Sequence, residues 1–142
     1  MQQFVINVDG AIGADAGKRG AGLGVVVRDA GGRVRHLLKE WVPGPITCNE
    51  AEYAALLLAL RALVPLVPCQ LTILSDSEVM VNQLIGRFRV GSPALKPLHR
   101  EACAMLSQFP RAAVRHVPRG QNRLADALAW EAANGWKLEI RD

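Results

Sequence analysis

Four carboxylates occupy positions where predicted elements of the chain meet. Asp9 closes the first predicted strand, and Asp76 lies just after a later strand. Glu52 opens the first long predicted helix, and Asp126 lies in the first turns of the last helix. In an open α/β sheet, ligands collect beyond the strand ends. If the strands that end near Asp9 and Asp76 are neighbours, these two side chains lie together and the two helical acids lean over them.

Four acids at such close quarters repel one another strongly unless cations neutralise them. Hard carboxylate oxygens suit magnesium or manganese. Two such ions about 4 Å apart can bind one phosphodiester, so that one ion activates the attacking water and the other stabilises the leaving oxygen.

Taken singly, each acid also has a purely structural interpretation. Asp9 fits a strand-end turn residue, and Glu52 fits the capping-box partner of Asn49. Asp76 fits a helix N-cap, and Asp126 fits a residue that complements the helix dipole. The residue types alone leave both interpretations open.

The elements that would position these acids follow from hydrophobic pattern and from Gly and Pro breakers. The predicted strands are residues 4–9, 23–28, 34–42, 71–74 and 112–117. The predicted helices are residues 51–63, 77–85, 93–109 and 122–134. The order is therefore β-β-β-α-β-α-α-β-α. A meander followed by alternation predicts an α/β fold, with a five-stranded mixed sheet whose strands 1–3 are antiparallel and whose faces carry helices.

Three local signals refine this outline. Residues 11–22 are rich in Gly and Ala and are predicted to form a loop. The Asp-Ala-Gly-Gly tetrad at 29–32 predicts a hairpin turn. Asn49, with Glu52 three residues on, predicts the cap of the first helix.

Composition places few restrictions on function. The 142 residues fit one domain, 1–142, in which 136–142 is a C-terminal tail of undecided conformation. The net charge of +4 permits an anionic partner. The three widely spaced cysteines, without a CxxC pair, argue against a disulfide scaffold or a zinc site. Neither a signal peptide nor an apolar run of membrane-spanning length is visible, so we expect a cytoplasmic protein without a membrane partner. We also expect a monomer.

The local sequences around the four acids indicate a function more specifically than the residue types do. They read VDGA at 8–11, TCNEAEYAAL at 47–56, SDS at 75–77 and HVPRGQNRLADALA at 116–129. In order and spacing they resemble the type 1 ribonuclease H family, over about residues 4–133. The resemblance implies a ribonuclease H-like fold and a nuclease that cleaves the RNA strand of RNA–DNA hybrids, leaving 3′-hydroxyl and 5′-phosphate ends. It also implies that Asp9, Glu52, Asp76 and Asp126 are the catalytic ligands of two Mg²⁺ ions, for which Mn²⁺ can substitute, with Glu52 nearest the RNA 2′-hydroxyl.

The resemblance also suggests residues that contact the hybrid duplex. Gly10 and Ala11 bring backbone close to the RNA strand, and Thr47 resembles a residue that helps to bind a DNA-strand phosphate. The further candidates for polar contacts are Asn49, Ser77 and Asn122. For Thr47 and Asn49, capping of the following helix is an alternative that is compatible with substrate contact.

Arg119 is the candidate for assisting catalysis or product release, because a subgroup of the family carries an arginine in this loop. His116 is its competitor, although a position within the fifth strand favours a structural role.

Some features depart from the common family pattern. Cys48 replaces the first of two adjacent asparagines, which weakens one expected hybrid contact. The segment between the second and third predicted helices is short, so the basic insertion that some members use to grip DNA is predicted to be absent.

Two other functions remain open from the sequence. A catalytically silent hybrid- or RNA-binding module on the same fold is the main alternative, although the presence of all four acids argues against it. A nuclease with another target, such as structured DNA or double-stranded RNA, is the second.

Overall fold

The computed structural model describes residues 1–135, which form one mixed sheet and four α-helices. The strands are β1 Gln2–Asp15, β2 Lys18–Asp29, β3 Val34–Pro43, β4 Cys69–Ser75 and β5 Arg111–His116. The helices are α1 Cys48–Leu63, α2 Glu78–Leu84, α3 Leu95–Leu106 and α4 Arg123–Ala133. Single 3-10 turns at Val64–Leu66 and Arg119–Gln121 follow α1 and precede α4. The predicted order of elements is confirmed, whereas the tail at 136–142 lies outside the described residues.

The sheet has the strand order β3-β2-β1-β4-β5. β1, β2 and β3 pair antiparallel, as predicted, while β4 and β5 are parallel to β1 and to each other. β1 therefore lies at the centre and is the strand on which the antiparallel and parallel halves meet.

The prediction of a loop at 11–22 is wrong. β1 and β2 instead continue as one long hairpin, in which Gly10 pairs with Leu23 and Asp15 pairs with Lys18. The turn is made by Ala16 and Gly17, both with positive φ, at 52° and 77°. Glycine usually weakens a strand, but it is also used where another backbone approaches closely.

Helix α4 is the element that approaches these glycines. A Cβ on Gly22 would lie 2.0 Å from the Ala129 carbonyl oxygen, and one on Gly24 would lie 2.2 Å from that of Ala125. The Gly-rich strands thus allow α4 to lie directly on β1 and β2. The glycines that suggest a loop are instead required for α4 to pack on the sheet.

The main core lies on the opposite face of the sheet, because neighbouring residues of a strand point to opposite faces. Phe4, Ile6 and Val8 of β1 pack there against α1. Other fully buried members of this core are Val25, Val27, Tyr53, Leu56, Leu60 and Ile73. α3 completes this layer by packing on α1.

The N-terminus of α1 is fixed by a capping box, but not the predicted one. Thr47 is the N-cap: its hydroxyl accepts from the Glu50 N–H at 3.2 Å, and the Glu50 carboxylate accepts from the Thr47 N–H at 3.2 Å. Asn49 is therefore inside the first turn, and its predicted capping role is wrong. The structural interpretation of Glu52 as a capping residue also fails, which leaves its carboxylate available for another use.

The connection between α2 and α3, residues 85–94, contains only turns and irregular chain. The predicted absence of a basic helical insertion at this place is confirmed. Among residues 1–135, no helix combines the length and apolar character needed to cross a membrane.

Candidate active site

Asp9 and Asp76 lie side by side at the point where the pairing of two parallel strands ends. Val8 of β1 pairs with Ser75 of β4, and this is the last pair that the two strands share. The residues that follow this pair are the two acids, Asp9 after Val8 and Asp76 after Ser75. Parallel pairing with this register therefore brings the two acids to the same end of adjacent strands.

Glu52 reaches this position because α1 passes very close to β1. A Cβ on Gly10 would lie 2.4 Å from the carbonyl carbon of Ala51 and 2.8 Å from the Glu52 nitrogen. The Gly10 N–H donates a hydrogen bond of 3.0 Å to Glu52 Oε1. Only glycine allows this approach without moving the helix, so Gly10 places the Glu52 carboxylate beside the strand end. One carboxylate oxygen from each of Asp9, Glu52 and Asp76 lies within 4.8 Å of the other two.

Asp126 joins the cluster from the opposite face, on the first turns of α4. A side-chain hydrogen bond with Asp126 is among the causes that raise the pKa of Asp9, and Asp126 is more exposed than Asp9 or Glu52. All four acids identified in the sequence are therefore brought together around Asp9, which is the central member.

The electrostatics of the metal-free cluster favour protonated forms. Burial, and then the negative charge of Glu52, raise the pKa of Asp9 from 3.8 to about 10. Burial likewise raises the pKa of Glu52 to about 7, although its hydrogen bonds with Asp9 and with the Gly10 N–H act in the opposite direction. At neutral pH, the cluster therefore binds either protons or cations.

A divalent cation fits these residues. Glu52 Oε2 is buried and, within residues 1–135, has no hydrogen-bond partner. A buried acceptor without a donor is costly, and a metal ion would satisfy it. Together with the oxygens of Asp9 and Asp76, it offers the all-oxygen ligands that magnesium and manganese prefer.

The residues predicted to contact substrate have varied positions. Gly10 and Ala11 lie partly exposed on β1 next to Asp9, and Thr47 and Asn49 are exposed at the start of α1. Ser77 is the N-cap of α2, where its hydroxyl accepts from the Met80 N–H at 3.2 Å. These five residues flank the carboxylates along the polypeptide.

Asn122 is different, because its side chain is buried and bonded inside the protein. The residue is 1 % exposed. Its Nδ2 donates to the Val8 carbonyl at 2.9 Å, and its Oδ1 accepts from Asn7 Nδ2 at 2.9 Å. Both ends of the amide are used inside the protein, and the contact of Asn122 with substrate stays a prediction.

Arg119 and His116 can also be compared. Arg119 lies in the turn before α4 with its side chain 80 % exposed, and its guanidinium is 3.7 Å from Asp126 Oδ1. His116 is exposed and is the last residue of β5, paired with Ser75. Of these two residues, Arg119 contacts one of the four acids.

Asn7 and Arg28 belong to the site's surroundings, and sequence reasoning missed them. Asn7 is buried on β1, two residues before Asp9, and Arg28 Nη1 on β2 donates to Asn7 Oδ1 at 3.2 Å. The available signal was an asparagine within an otherwise apolar strand, VINVD at 5–9.

Comparison with known proteins shows the family to which this chain belongs. The family model described as "Reverse transcriptase-like" matches residues 7–132. A curated bifunctional protein of Mycobacterium tuberculosis, Rv2228c, is 38% identical over 125 residues, which are 85% of this chain and 34% of that protein. The ribonuclease H domain of Rv2228c has a solved structure with a TM-score of 0.84 and 36% identity, covering 94% of each chain. The chain belongs to the type 1 ribonuclease H family.

Two further solved structures agree with this assignment. Ribonuclease H1 of Halobacterium salinarum has a TM-score of 0.83 at 31% identity, covering 92% of this chain and 96% of that one. The LC11 ribonuclease H1, solved with an RNA/DNA hybrid, has a TM-score of 0.81 at 32% identity and the same coverage. The predicted ribonuclease H-like fold is confirmed. This chain spans about a third of the length of the mycobacterial protein, so the family assignment concerns the region that the two share.

Proposed function

We propose that this domain is an endoribonuclease that hydrolyses the RNA strand of RNA–DNA hybrids with two divalent metal ions, leaving 3′-hydroxyl and 5′-phosphate ends. The observation that carries the proposal is the convergence of Asp9, Glu52 and Asp76 within 4.8 Å, with Asp126 beside Asp9. The same family includes a relative solved with an RNA/DNA hybrid. A bound pair of divalent ions, Mg²⁺ or Mn²⁺, would supply Lewis-acid catalysis at the scissile phosphate.

The chain's own residues would divide the remaining work. Asp9 is the buried central ligand, and Asp76 and Asp126 are the more exposed ligands on either side of it. Glu52 is held by the Gly10 N–H through Oε1, so its Oε2 keeps a fixed direction for a cation or for the RNA 2′-hydroxyl. Preorganised ligands of this kind avoid reorganisation during the reaction.

Selection of the hybrid would rest on shape and on ribose hydroxyls, not on base sequence. The partly exposed backbone at Gly10 and Ala11 and the polar side chains of Thr47, Asn49 and Ser77 flank the acids. They are the groups that we propose contact successive nucleotides. Arg119 at the rim would interact with phosphate or assist product release.

Cleavage assays on a panel of substrates test the proposal. Labelled RNA–DNA hybrid, duplex RNA, duplex DNA and single strands are incubated with Mg²⁺, with Mn²⁺ or with a chelator. We expect metal-dependent cleavage of the RNA strand of the hybrid alone. Tight binding of hybrid without cleavage would instead indicate a silent binding module, and preferential cleavage of another substrate would indicate a nuclease with a different target.

The proposal extends to the organisation of the protein. We propose that residues 1–142 form one ribonuclease H domain that acts as a monomer in the cytoplasm. Light scattering after gel filtration tests the monomer, and a dimer mass would contradict it.

A further inference from the structure

The amide of Asn7 links the central strand β1 to the beginning of α4. Its Nδ2 donates to Asn122 Oδ1 at 2.9 Å and to the Gln121 carbonyl at 3.3 Å. The Asn122 amide then donates to the Val8 carbonyl at 2.9 Å. The two asparagines thus connect the strand and the helix by bonds that run in both directions.

The orientation of the Asn7 amide is set by a third residue. Arg28 Nη1 donates to Asn7 Oδ1 at 3.2 Å, so this end of the amide must be the oxygen and the other end must be the donor. Asn7 is 6 % exposed and Asn122 is 1 % exposed. Buried polar groups of this kind favour one arrangement of their elements, because any other arrangement would leave a donor or an acceptor without a hydrogen-bond partner.

Asn122 occupies the N-cap position of α4, yet its side chain makes no capping hydrogen bond within the described chain. Asparagine at this position normally accepts from the first turn of its own helix. Here the side chain bonds to β1 instead. The Asn122 carbonyl accepts from the Asp126 N–H at 3.0 Å, so the acid lies one helical turn beyond the residue that is bound to the strand.

Much of the remaining contact between α4 and the sheet is made by small residues, and farther along the helix an exposed ion pair joins Glu131 Oε2 to Lys39 Nζ of β3 at 3.4 Å. Ala125 and Ala129 lie against Gly24 and Gly22, and Ala133 lies against Gly13. Such surfaces approach closely but interdigitate little, so they define the distance between helix and sheet better than the position along the strand. The polar link at the first turn is placed where it can define that position.

We propose that Asn7 is a positioning residue, which with Arg28 and Asn122 sets the location of Asp126 relative to Asp9 and thereby the affinity of the carboxylate cluster for its metal ions. Asn7 and Asp9 are two residues apart on one strand and therefore point to the same face of the sheet. One strand thus carries the central ligand and the anchor of the helix that carries the fourth acid. The proposal rests on the proposed function for the identity of the metal site.

The test compares Asn7→Leu with Val27→Ala, a core variant of β2 whose side chain lies on the opposite face of the sheet from the polar link. Mn²⁺ binding is measured by calorimetry without nucleic acid, together with the melting temperature and with kcat and KM for hybrid as functions of Mn²⁺ concentration. We expect Asn7→Leu to bind Mn²⁺ about 10- to 100-fold more weakly, as is usual when a residue that orients a ligand is lost. High Mn²⁺ should restore most of kcat, with little change in KM for hybrid. Val27→Ala should lower the melting temperature and leave Mn²⁺ affinity unchanged.

A wild-type Mn²⁺ affinity in Asn7→Leu, with a melting temperature lowered as in Val27→Ala, would overturn the proposal. If Asn7→Leu fails to fold, Arg28→Met provides the second test. We expect Arg28→Met to lose less Mn²⁺ affinity than Asn7→Leu, and Arg28→Lys to restore part of that loss. Equal Mn²⁺ affinity in both Arg28 variants and in the wild type would overturn the proposal. Because binding is measured without substrate, a wild-type protein that binds Mn²⁺ but leaves hybrid intact would contradict the proposed function and not this inference. A wild-type protein that binds no Mn²⁺ contradicts both.

Discussion

Gly10→Ala is the perturbation that tests the site most sharply, because it adds one methyl group between the two elements that carry Asp9 and Glu52. The added Cβ would lie 2.4 Å from the Ala51 carbonyl carbon and 2.5 Å from its oxygen. These atoms are backbone and are unable to rotate away. Either α1 must move or β1 must bend.

The size of the displacement follows from the contact distances. Ordinary contact with a Cβ begins at 3.4 Å, so the helix must retreat by about 1 Å. The hydrogen bond from the Gly10 N–H to Glu52 Oε1, now 3.0 Å, would lengthen to about 4 Å and be lost. A misplacement of about 1 Å can cost a factor of about 100 in rate, and overpacking of this kind costs about 1–3 kcal/mol of stability.

The assay is steady-state cleavage of labelled hybrid at saturating Mg²⁺, with melting temperatures measured in parallel. Gly91→Ala is the matched control, because a Cβ there meets no heavy atom of the described residues within 4 Å. We expect kcat to fall about 100-fold in Gly10→Ala and to stay at the wild-type value in Gly91→Ala. A folded Gly10→Ala protein with wild-type kcat would refute the reasoning that the close approach positions Glu52.

Three further predictions concern charge. Asp9→Asn or Asp76→Asn should abolish cleavage while hybrid binding, measured by fluorescence anisotropy, remains mostly intact; full activity in either variant would exclude a metal-ligand role. In the presence of chelator, Asp9 of the native protein keeps a proton that the unfolded chain loses above the ordinary pKa of 3.8. The free energy of unfolding should therefore fall as the pH rises between about pH 4 and 10. The contribution of this group is at most about 1.4 kcal/mol per pH unit. Denaturant unfolding should show that Asp9→Asn removes this contribution, and an identical pH dependence in the variant would contradict the assignment. Arg119→Ala should slow turnover moderately, because it removes the guanidinium next to Asp126; an unchanged kcat would make Arg119 an ordinary surface charge.

The order of elements and the location of the acids could be predicted from sequence because each depends on local signals. Runs such as VVV at 25–27 predict a strand without knowledge of its partners. Asp9 ends one predicted strand, and Asp76 lies two residues after another. Their proximity required only that the two strands be neighbours, which their parallel pairing fulfils.

The long hairpin could not be predicted in the same way, because its glycines are explained by a distant element. Gly22 and Gly24 are there for α4, which begins about 100 residues later in the chain. Local composition at 11–22 indicates a loop since no local feature reveals that a helix lies on it. The choice between Thr47 and Asn49 as the cap was also open locally, because both side chains can accept from the backbone of the first turn.

The role of Asn122 shows a similar limit. Its place at the start of a helix, near an acid, is consistent with substrate contact, with capping or with a link to the sheet. The structure shows the link to the sheet through Asn7, a partner that is 115 residues away. Tertiary contacts of this kind leave no periodic or compositional signal in a single sequence.

The central claim is that four carboxylates from separate parts of the chain form one site for divalent ions at the scissile phosphate. Crystals of the protein with Mn²⁺ and a hybrid whose RNA strand carries a non-hydrolysable linkage test it most directly, through anomalous scattering. The account predicts two Mn²⁺ peaks about 4 Å apart, bounded by Asp9, Glu52, Asp76 and Asp126 and both next to one RNA phosphate. A bound hybrid with no Mn²⁺ among these carboxylates would contradict it.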